Sequence, residues 1–153
     1  MKLVKATLDD ISAMQALVKR EVEEGIILPR SDDEIATNIR SYVLAKEGDV
    51  TLGYTALHIH SPRLAEIRSL IVGEAHRKRG IGEALVRFAL DEAKALHVSQ
   101  EVLALTYTPA FFAKLGFVEI AKESIPEHKI WADCIKCKHF PVCNEVAMVY
   151  KVS

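Results

Sequence analysis

The most informative segment of the chain reads Arg77-Lys78-Arg79-Gly80-Ile81-Gly82, and it lies between a predicted strand and a predicted helix. Glycine lets a backbone approach a ligand closely and adopt positive φ values. The first turn of the following helix offers unpaired N–H groups and a positive dipole end, which suit a phosphate. The pattern is neither a P-loop nor a Rossmann turn. It indicates either a loop that binds a pyrophosphate without a tightly held metal or a solvated basic turn with a glycine cap.

Periodic apolar residues on both sides of this segment predict the surrounding elements. The chain before it forms a strand over 65–72, and the chain after it forms a helix over 80–96. Upstream, the pattern predicts an edge strand over 2–6, helices over 11–24 and 31–40, and hairpin strands over 42–46 and 50–60. Downstream, it predicts a strand over 101–107, a short helix over 109–115 and closing strands over 117–121 and 145–152. This order indicates a mixed α/β fold with one sheet and helices on both faces.

Length and charge limit the class of protein. The 153 residues suit one domain, 1–153. Lys and Arg number 20 and Asp and Glu number 21, so a formal net charge of -1 gives no basic field for nucleic acid or an anionic membrane. The apolar runs are far shorter than the roughly 18 residues of a membrane span, and Met1–Asp10 carries acids where a signal peptide is apolar. We therefore expect a soluble cytoplasmic protein with no nucleic-acid or membrane partner.

The basic glycine segment in this context resembles the acetyl-CoA motif of the GNAT acyltransferase superfamily. A second matching string is Ala110-Phe111-Phe112-Ala113-Lys114-Leu115-Gly116-Phe117. The resemblance implies a mostly antiparallel sheet of six to seven strands with about four helices, in which the fourth and fifth strands splay apart around acetyl-CoA. It further implies that the pantetheine and pyrophosphate are held by Leu70, Ile71, Val72, Arg77, Lys78, Arg79, Gly80, Ile81 and Gly82, with Phe112 beside the cofactor.

Five further strings, over 25–31, 65–70, 105–109, 129–134 and 144–148, look like those of short, single-domain amino-acid N-acetyltransferases related to N-acetylglutamate synthase. This closer resemblance implies acetylation of the α-amine of glutamate, the first step of arginine biosynthesis. Three alternatives stay open at this point. The chain could acetylate another amine, such as a protein N-terminus or a polyamine, it could bind acetyl-CoA without catalysis, or it could be a metal-dependent interaction domain. A homodimer is a further expectation.

Amine acetylation needs an unprotonated nucleophile, because an α-amine has a reference pKa of about 8. Glu66 is the candidate general base, acting through water, since relatives often place a glutamate here. The alternative is a surface carboxylate paired with Arg68 or Arg63. Many relatives protonate the leaving thiol with a tyrosine at the position of Phe112, so Tyr107 is a substitute candidate, with a packed strand aromatic as its alternative.

Recognition of glutamate requires cations for its two carboxylates, and arginine can bind a carboxylate through two parallel hydrogen bonds. The candidates are Arg30, Arg68 and Lys129. Arg30 is favoured because relatives meet the amino acid at the Leu-Pro-Arg-Ser string. For each of the three cations the alternative is an ordinary surface charge.

The three cysteines lie close together within the irregular segment 122–144. Cys134, Cys137 and Cys143, with His139 between them, have the residue types of a four-ligand zinc site. Only the first pair has zinc-knuckle spacing. Buried free thiols, a redox pair at the first two cysteines and an exposed loop are the alternatives to zinc.

Overall fold

The computed structural model describes residues 1–125 and 145–152, which form seven strands and four α-helices. The strands are β1 (Lys2–Lys5), β2 (Tyr42–Glu47), β3 (Val50–Ile59), β4 (Leu64–Val72), β5 (Glu101–Thr106), β6 (Val118–Ile120) and β7 (Val146–Lys151). The helices are α1 (Ile11–Glu23), α2 (Asp32–Thr37), α3 (Ile81–Ala95) and α4 (Pro109–Lys114). This confirms the expected fold class and the order of its elements.

The strands form one sheet in the order β1-β2-β3-β4-β5-β7-β6. Neighbouring strands are antiparallel except for β4 and β5, which run parallel. The mostly antiparallel sheet is therefore confirmed. None of the helices in the described ranges combines the length and the apolarity that crossing a membrane requires.

The helices cover both faces of the sheet, as the element order predicts. On one face α1 buries Met14 and Val18 against Tyr42, Leu44 and Tyr54. On the other face the apolar stripe of α3 packs on the sheet together with α4. The stripe buries Ile81, Leu85, Val86, Ala89, Leu90 and Ala93.

Most element ends lie within one residue of the predictions, and two of the differences have a visible cause. The second helix was expected to reach about Arg40 but ends at Thr37, because Asn38 leaves the helical region at φ -108° and ψ 15° and a 3-10 turn follows. Strand β5 ends one residue before Tyr107. There the Thr106 hydroxyl accepts the Thr108 N–H at 2.8 Å, which turns the chain toward α4.

Strands β4 and β5 separate halfway along their length. Their pairing covers only Leu64–Ile67 against Glu101–Ala104. Strand β4 continues beside β3 alone, and its pairing with β3 is irregular, because Ala56 lies opposite Arg68 while Tyr54 lies opposite Ile71. A β-bulge of this kind bends the strand and increases its twist. The splayed strand pair is thus present, and the bulge lies at its opening.

Candidate functional site

A cavity of about 690 Å³ fills the gap between β4 and β5. Its wall also includes the connector between α1 and α2 and the first turns of α3 and α4. Ten of the residues singled out from the sequence line it together. They are Arg30, Glu66, Arg68, Leu70, Ile71, Val72, Arg77, Gly82, Tyr107 and Phe112.

One end of the cavity is the turn into α3. Gly80 is the N-cap residue at φ 78° and ψ 10°, a left-handed conformation, and no side chain caps the helix. The N–H groups of the first turn therefore have no side-chain partner there and are available to an anion. Ile81 itself is 2% exposed and packs in the core, so only its backbone faces the turn.

The cations of this turn have different surroundings. Arg77 lines the cavity and its Nε donates to the Val72 carbonyl at 3.4 Å. Arg79 pairs with Glu47, with 3.0 Å between Nη2 and Oε2, and lies outside the cavity wall. Lys78 also lies outside the wall and has a positive φ of 66°. The described residues thus bring only one of the three cations into the cavity itself.

The cavity is open at this end because Gly82 has no side chain. A Cβ at Gly82 would lie 3.4 Å from Phe111 and 3.7 Å from Val72.

The end of strand β4 directs its backbone groups toward the gap. The Gly73 N–H, just after β4, donates to the Leu52 carbonyl on β3 at 2.8 Å. Backbone groups alternate in direction along a strand, so the N–H and C=O of Val72 face the open side toward the gap.

The other end of the cavity holds Glu66. This residue is 5% exposed, so the surface carboxylate considered as its alternative is wrong. Its Oε1 contacts Arg68 Nε at 2.9 Å and His60 Nε2 at 2.8 Å. The pairing with Arg68 that the sequence suggested is therefore present, but it is buried.

Two arginines, Arg30 and Arg68, line the main cavity together with this carboxylate. They also line a side cavity of about 60 Å³, whose wall includes Ser69 and Tyr42. Burial raises the pKa of the Tyr42 hydroxyl, while the charges of Arg30 and Arg68 and a hydrogen bond with Ser69 oppose the rise. The side cavity is thus lined by two arginines, one of them paired with Glu66, and by hydroxyl groups that can form hydrogen bonds.

The aromatic candidates lie at different depths. Phe112 is 4% exposed and packs edge-on against Phe111 and Phe117 at centroid distances of 5.1 Å, so it belongs to the core and reaches the cavity wall. Tyr107 is 47% exposed at the cavity wall. The packed strand aromatic considered for Tyr107 is therefore wrong, because β5 has already ended.

Several predicted residues lie outside the described part of the chain. They are Lys129 and the proposed zinc ligands Cys134, Cys137, His139 and Cys143. Within residues 1–125 and 145–152, no three His, Cys, Asp or Glu side chains are placed to share a metal ion.

Among the residues of this site that were not predicted, four have distinctive contacts or positions. His60 contacts Glu66, Ser69 lies in the bulge, Phe111 lies against Gly82, and Glu21 lines the cavity from α1. The Glu21 Oε2 atom is buried without a hydrogen-bond partner among the described residues. The contact of His60 with Glu66 could have been predicted. His60 directly follows β3, a short turn leads from it to β4, and adjacent strands of a hairpin bring side chains on the same face together.

Comparisons with known proteins agree on the family. The Acetyltransferase (GNAT) family matches residues 10–117. A protein of Chlorobaculum tepidum, named as an uncharacterized N-acetyltransferase, is 39% identical over 147 residues, which are 94% of this chain and 92% of that protein. The amino-acid acetyltransferase of Vibrio atlanticus is 23% identical over 82% of this chain, which spans only 28% of that enzyme.

Solved structures agree on the fold. The N-acetylglutamate synthase of Neisseria gonorrhoeae, complexed with coenzyme A and N-acetyl-glutamate, superposes with a TM-score of 0.87 at 24% identity. The match covers 99% of this chain and 35% of that chain. A Mycobacterium tuberculosis protein in complex with CoA has a TM-score of 0.82 at 24% identity and matches over 99% of both chains.

Proposed function

The chain belongs to the GNAT family of acetyltransferases, and from this premise we propose that it transfers the acetyl group of acetyl-CoA to the α-amine of L-glutamate. The observation that carries the proposal is a single cavity that joins the uncapped turn of α3 to a buried glutamate and two arginines. The first part suits a diphosphate and the second suits an amine bearing carboxylates. N-acetylglutamate is the product that begins arginine biosynthesis in the amino-acid N-acetyltransferases that this chain resembles.

The cavity suits acetyl-CoA at the turn of α3. The N–H groups of the first helical turn and Arg77 would hold the diphosphate, and Gly82 keeps the approach free of side-chain atoms. The backbone N–H and C=O of Val72, on the open side of β4, would bind the amide groups of the pantetheine. When bound, this cosubstrate supplies an activated acetyl group as a thioester.

Glu66 is the proposed general base. Both of its hydrogen bonds to described residues involve Oε1, and we assign the other oxygen, Oε2, to the acceptor amine. An α-amine is mostly protonated at pH 7, because its reference pKa is about 8. Oε2 would accept that proton, directly or through one water, as the amine attacks the acetyl carbonyl.

The remaining steps demand less of the side chains. A backbone N–H at the β4 opening would stabilise the developing oxyanion. The departing thiol has a reference pKa of about 8.5, so it can leave as a thiolate without a strong acid. Phe112 has no proton to give. Tyr107, exposed at the cavity wall, is the one proposed donor.

The end of the cavity that holds Glu66, Arg30 and Arg68, here called the acceptor end, suits glutamate best as the substrate amine. Arg30 and Arg68 flank the side cavity, whose volume of about 60 Å³ admits a carboxylate group rather than a large side chain. A polyamine would require an acidic recess, and this recess is basic. The amino-acid acetyltransferases of Vibrio species and the Neisseria synthase support the same substrate class.

The test is thiol release from acetyl-CoA in the presence of a panel of free amino acids, polyamines and N-terminal peptides. We expect turnover with glutamate to exceed that with every other acceptor. Activity confined to a non-acidic amine would overturn the glutamate assignment. Binding of acetyl-CoA without turnover of any amine would instead favour a non-catalytic module.

A matched pair of variants tests the acceptor end. Arg30→Ala should raise the KM for glutamate about tenfold or more, because a charged hydrogen bond to a carboxylate contributes about 1.5–3 kcal/mol, while the KM for acetyl-CoA stays unchanged. Arg40→Ala, at an exposed position outside both cavity walls, is the control. Equal KM values for glutamate in the two variants would exclude Arg30 from the acceptor site.

A further inference from the structure

His60 lies behind Glu66, away from solvent. Its side chain is 0% exposed, and its Nε2 lies 2.8 Å from Glu66 Oε1. The ring of His58, whose residue pairs with Glu66 across the two strands, packs edge-on against the His60 ring at a centroid distance of 4.6 Å. His60 is therefore held in place by packing and directed at the carboxylate.

The surroundings of the ring determine its hydrogen-bonding role. His60 Nδ1 is buried and has no partner among the described residues. An ionised carboxylate oxygen only accepts hydrogen bonds, so His60 donates its Nε2–H to Glu66 Oε1.

The second contact on Glu66 shows why this donor matters. Arg68 donates to the same oxygen, Oε1, from its Nε. An arginine can also bind both oxygens of a carboxylate with its planar fork, and that arrangement would occupy Oε2. The His60 donor holds Oε1 in its present direction and so opposes the rotation of the carboxylate that would bring Oε2 to Arg68.

We propose that His60 is a positioning residue, which holds the Glu66 carboxylate so that Oε2 faces the cavity and receives the proton of the acceptor amine. This inference rests on the proposed acetyltransferase function. It assigns a role to a residue that contacts neither substrate. Glu66 remains the catalytic residue, and His60 acts only through it.

The test is a double-mutant cycle between His60→Leu and Glu66→Gln, measured as kcat for glutamate acetylation. A positioned general base contributes about 10²–10⁴-fold, so we expect Glu66→Gln to lower kcat about 100-fold and His60→Leu about tenfold. In the Glu66→Gln background, His60→Leu should change kcat less than about twofold, because residues that act as a unit are not additive. The KM for acetyl-CoA should stay unchanged throughout.

Two further variants separate positioning from packing. His60→Gln keeps an N–H donor on a side chain that can reach Glu66, and it should recover part of the kcat lost in His60→Leu. Leu57→Val, on the opposite face of β3, removes a buried methylene and should lower Tm without lowering kcat at temperatures where it is folded.

The outcomes distinguish this inference from the function on which it rests. Suppose that the wild type turns over glutamate. If His60→Leu then lowers kcat equally in the wild-type and Glu66→Gln backgrounds, or does not lower kcat at all, the role of His60 is overturned and the proposed function is not. The absence of turnover with every amine would overturn the proposed function and this inference with it.

Discussion

Gly82 lies at the first turn of α3, where its missing side chain leaves the approach to the helix N-terminus open. Val72 and Phe111 are its neighbours across the turn. An added Cβ would meet them at ordinary contact distances, so the fold tolerates a small side chain there. The position therefore separates ligand binding from folding.

Gly82→Glu should weaken acetyl-CoA binding about 100-fold or more, because placing like charges together costs several kcal/mol. Isothermal titration calorimetry measures the loss. Gly82→Ala is the control for the backbone, and circular dichroism should report a folded chain for both variants. Unchanged affinity in Gly82→Glu would contradict the assignment of this turn to the diphosphate.

Asp10 is a buried charge that supports the fold rather than the site. Its Oδ1 accepts from Lys46 Nζ at 2.7 Å and its Oδ2 from the Thr7 N–H at 2.8 Å. Burial raises the pKa of the Asp10 carboxyl, but the hydrogen bonds from Lys46 and Thr7 outweigh burial and hold the pKa below its ordinary value of 3.8. The carboxylate consequently stabilises the folded state whenever it is ionised.

Asp10→Asn should lower the free energy of unfolding at pH 7 by about 1.5–3 kcal/mol, the range for hydrogen bonds to charged groups. Because the folded-state pKa is depressed, the stabilisation is complete above pH 3.8 and is lost as the pH falls through the folded-state value. Urea unfolding of both proteins at pH 7 and at acidic pH measures this. A stability difference independent of pH would contradict the ion pair.

At the scale of elements, the start of helix α2 determines the position of Arg30, which precedes the N-cap residue Ser31. Ser31 and Glu34 form a capping box, in which each side chain accepts the other residue's N–H at 3.1 Å. The Gln15 side chain of α1 donates to the Arg30 carbonyl at 2.7 Å. Arg30 therefore directly precedes the N-cap residue of α2, and its carbonyl is bound by a side chain of α1.

Ser31→Ala should lower the free energy of unfolding by about 1 kcal/mol, as loss of an N-cap does. It should also raise the KM for glutamate more than the KM for acetyl-CoA, since Arg30 is displaced first. Thr37→Ala, which removes a hydroxyl at the other end of α2, is the matched control. If both variants change the two KM values equally, α2 does not position Arg30.

The opening of the sheet is also a property of elements. Strand β4 bulges between Arg68 and Ile71, and Ser69 adopts a positive φ of 54° there. The Thr55 hydroxyl donates to the Arg68 carbonyl at 3.0 Å, which satisfies a backbone group at the irregularity. Alternation predicted β4 as one regular strand, because a bulge changes the pairing without changing the apolar pattern.

At the scale of the whole molecule, the cavity joins elements from both faces of the sheet. A ligand that spans it contacts β4, α3 and α4 at once, so its binding energy adds to the stability of the folded state.

Acetyl-CoA at 100 times its Kd should stabilise the protein by about 2.7 kcal/mol. For a chain of this size that corresponds to a rise in Tm of about 5–11 °C, and differential scanning calorimetry measures it. Gly82→Glu, with binding weakened about 100-fold, should show a rise of less than about 2 °C at the same concentration. An equal rise in that variant would mean that the stabilising ligand lies elsewhere.

Much of the fold was predictable because its signals are local. The stripe of α3, the capping box at Ser31 and the basic turn before Gly82 each combine residues that are neighbours in the chain. Such signals need no knowledge of how distant segments pair. The ends of α2 and β5 were less predictable, because single hydrogen bonds and backbone angles decided them.

The amino-acid sequence by itself determined the class of fold and the turn at the start of α3, since residue type and spacing carry these features. Its resemblance to acetyltransferases indicated Glu66 as the candidate base. Only the tertiary structure decided that His60, Arg68 and Glu66 meet, and that Arg30, from another element, lines the same cavity as Glu66. Strand register brings such side chains together, and a slip of one residue would turn Glu66 to the opposite face of the sheet. Register arises from the packing of the whole sheet, which no short stretch of sequence contains.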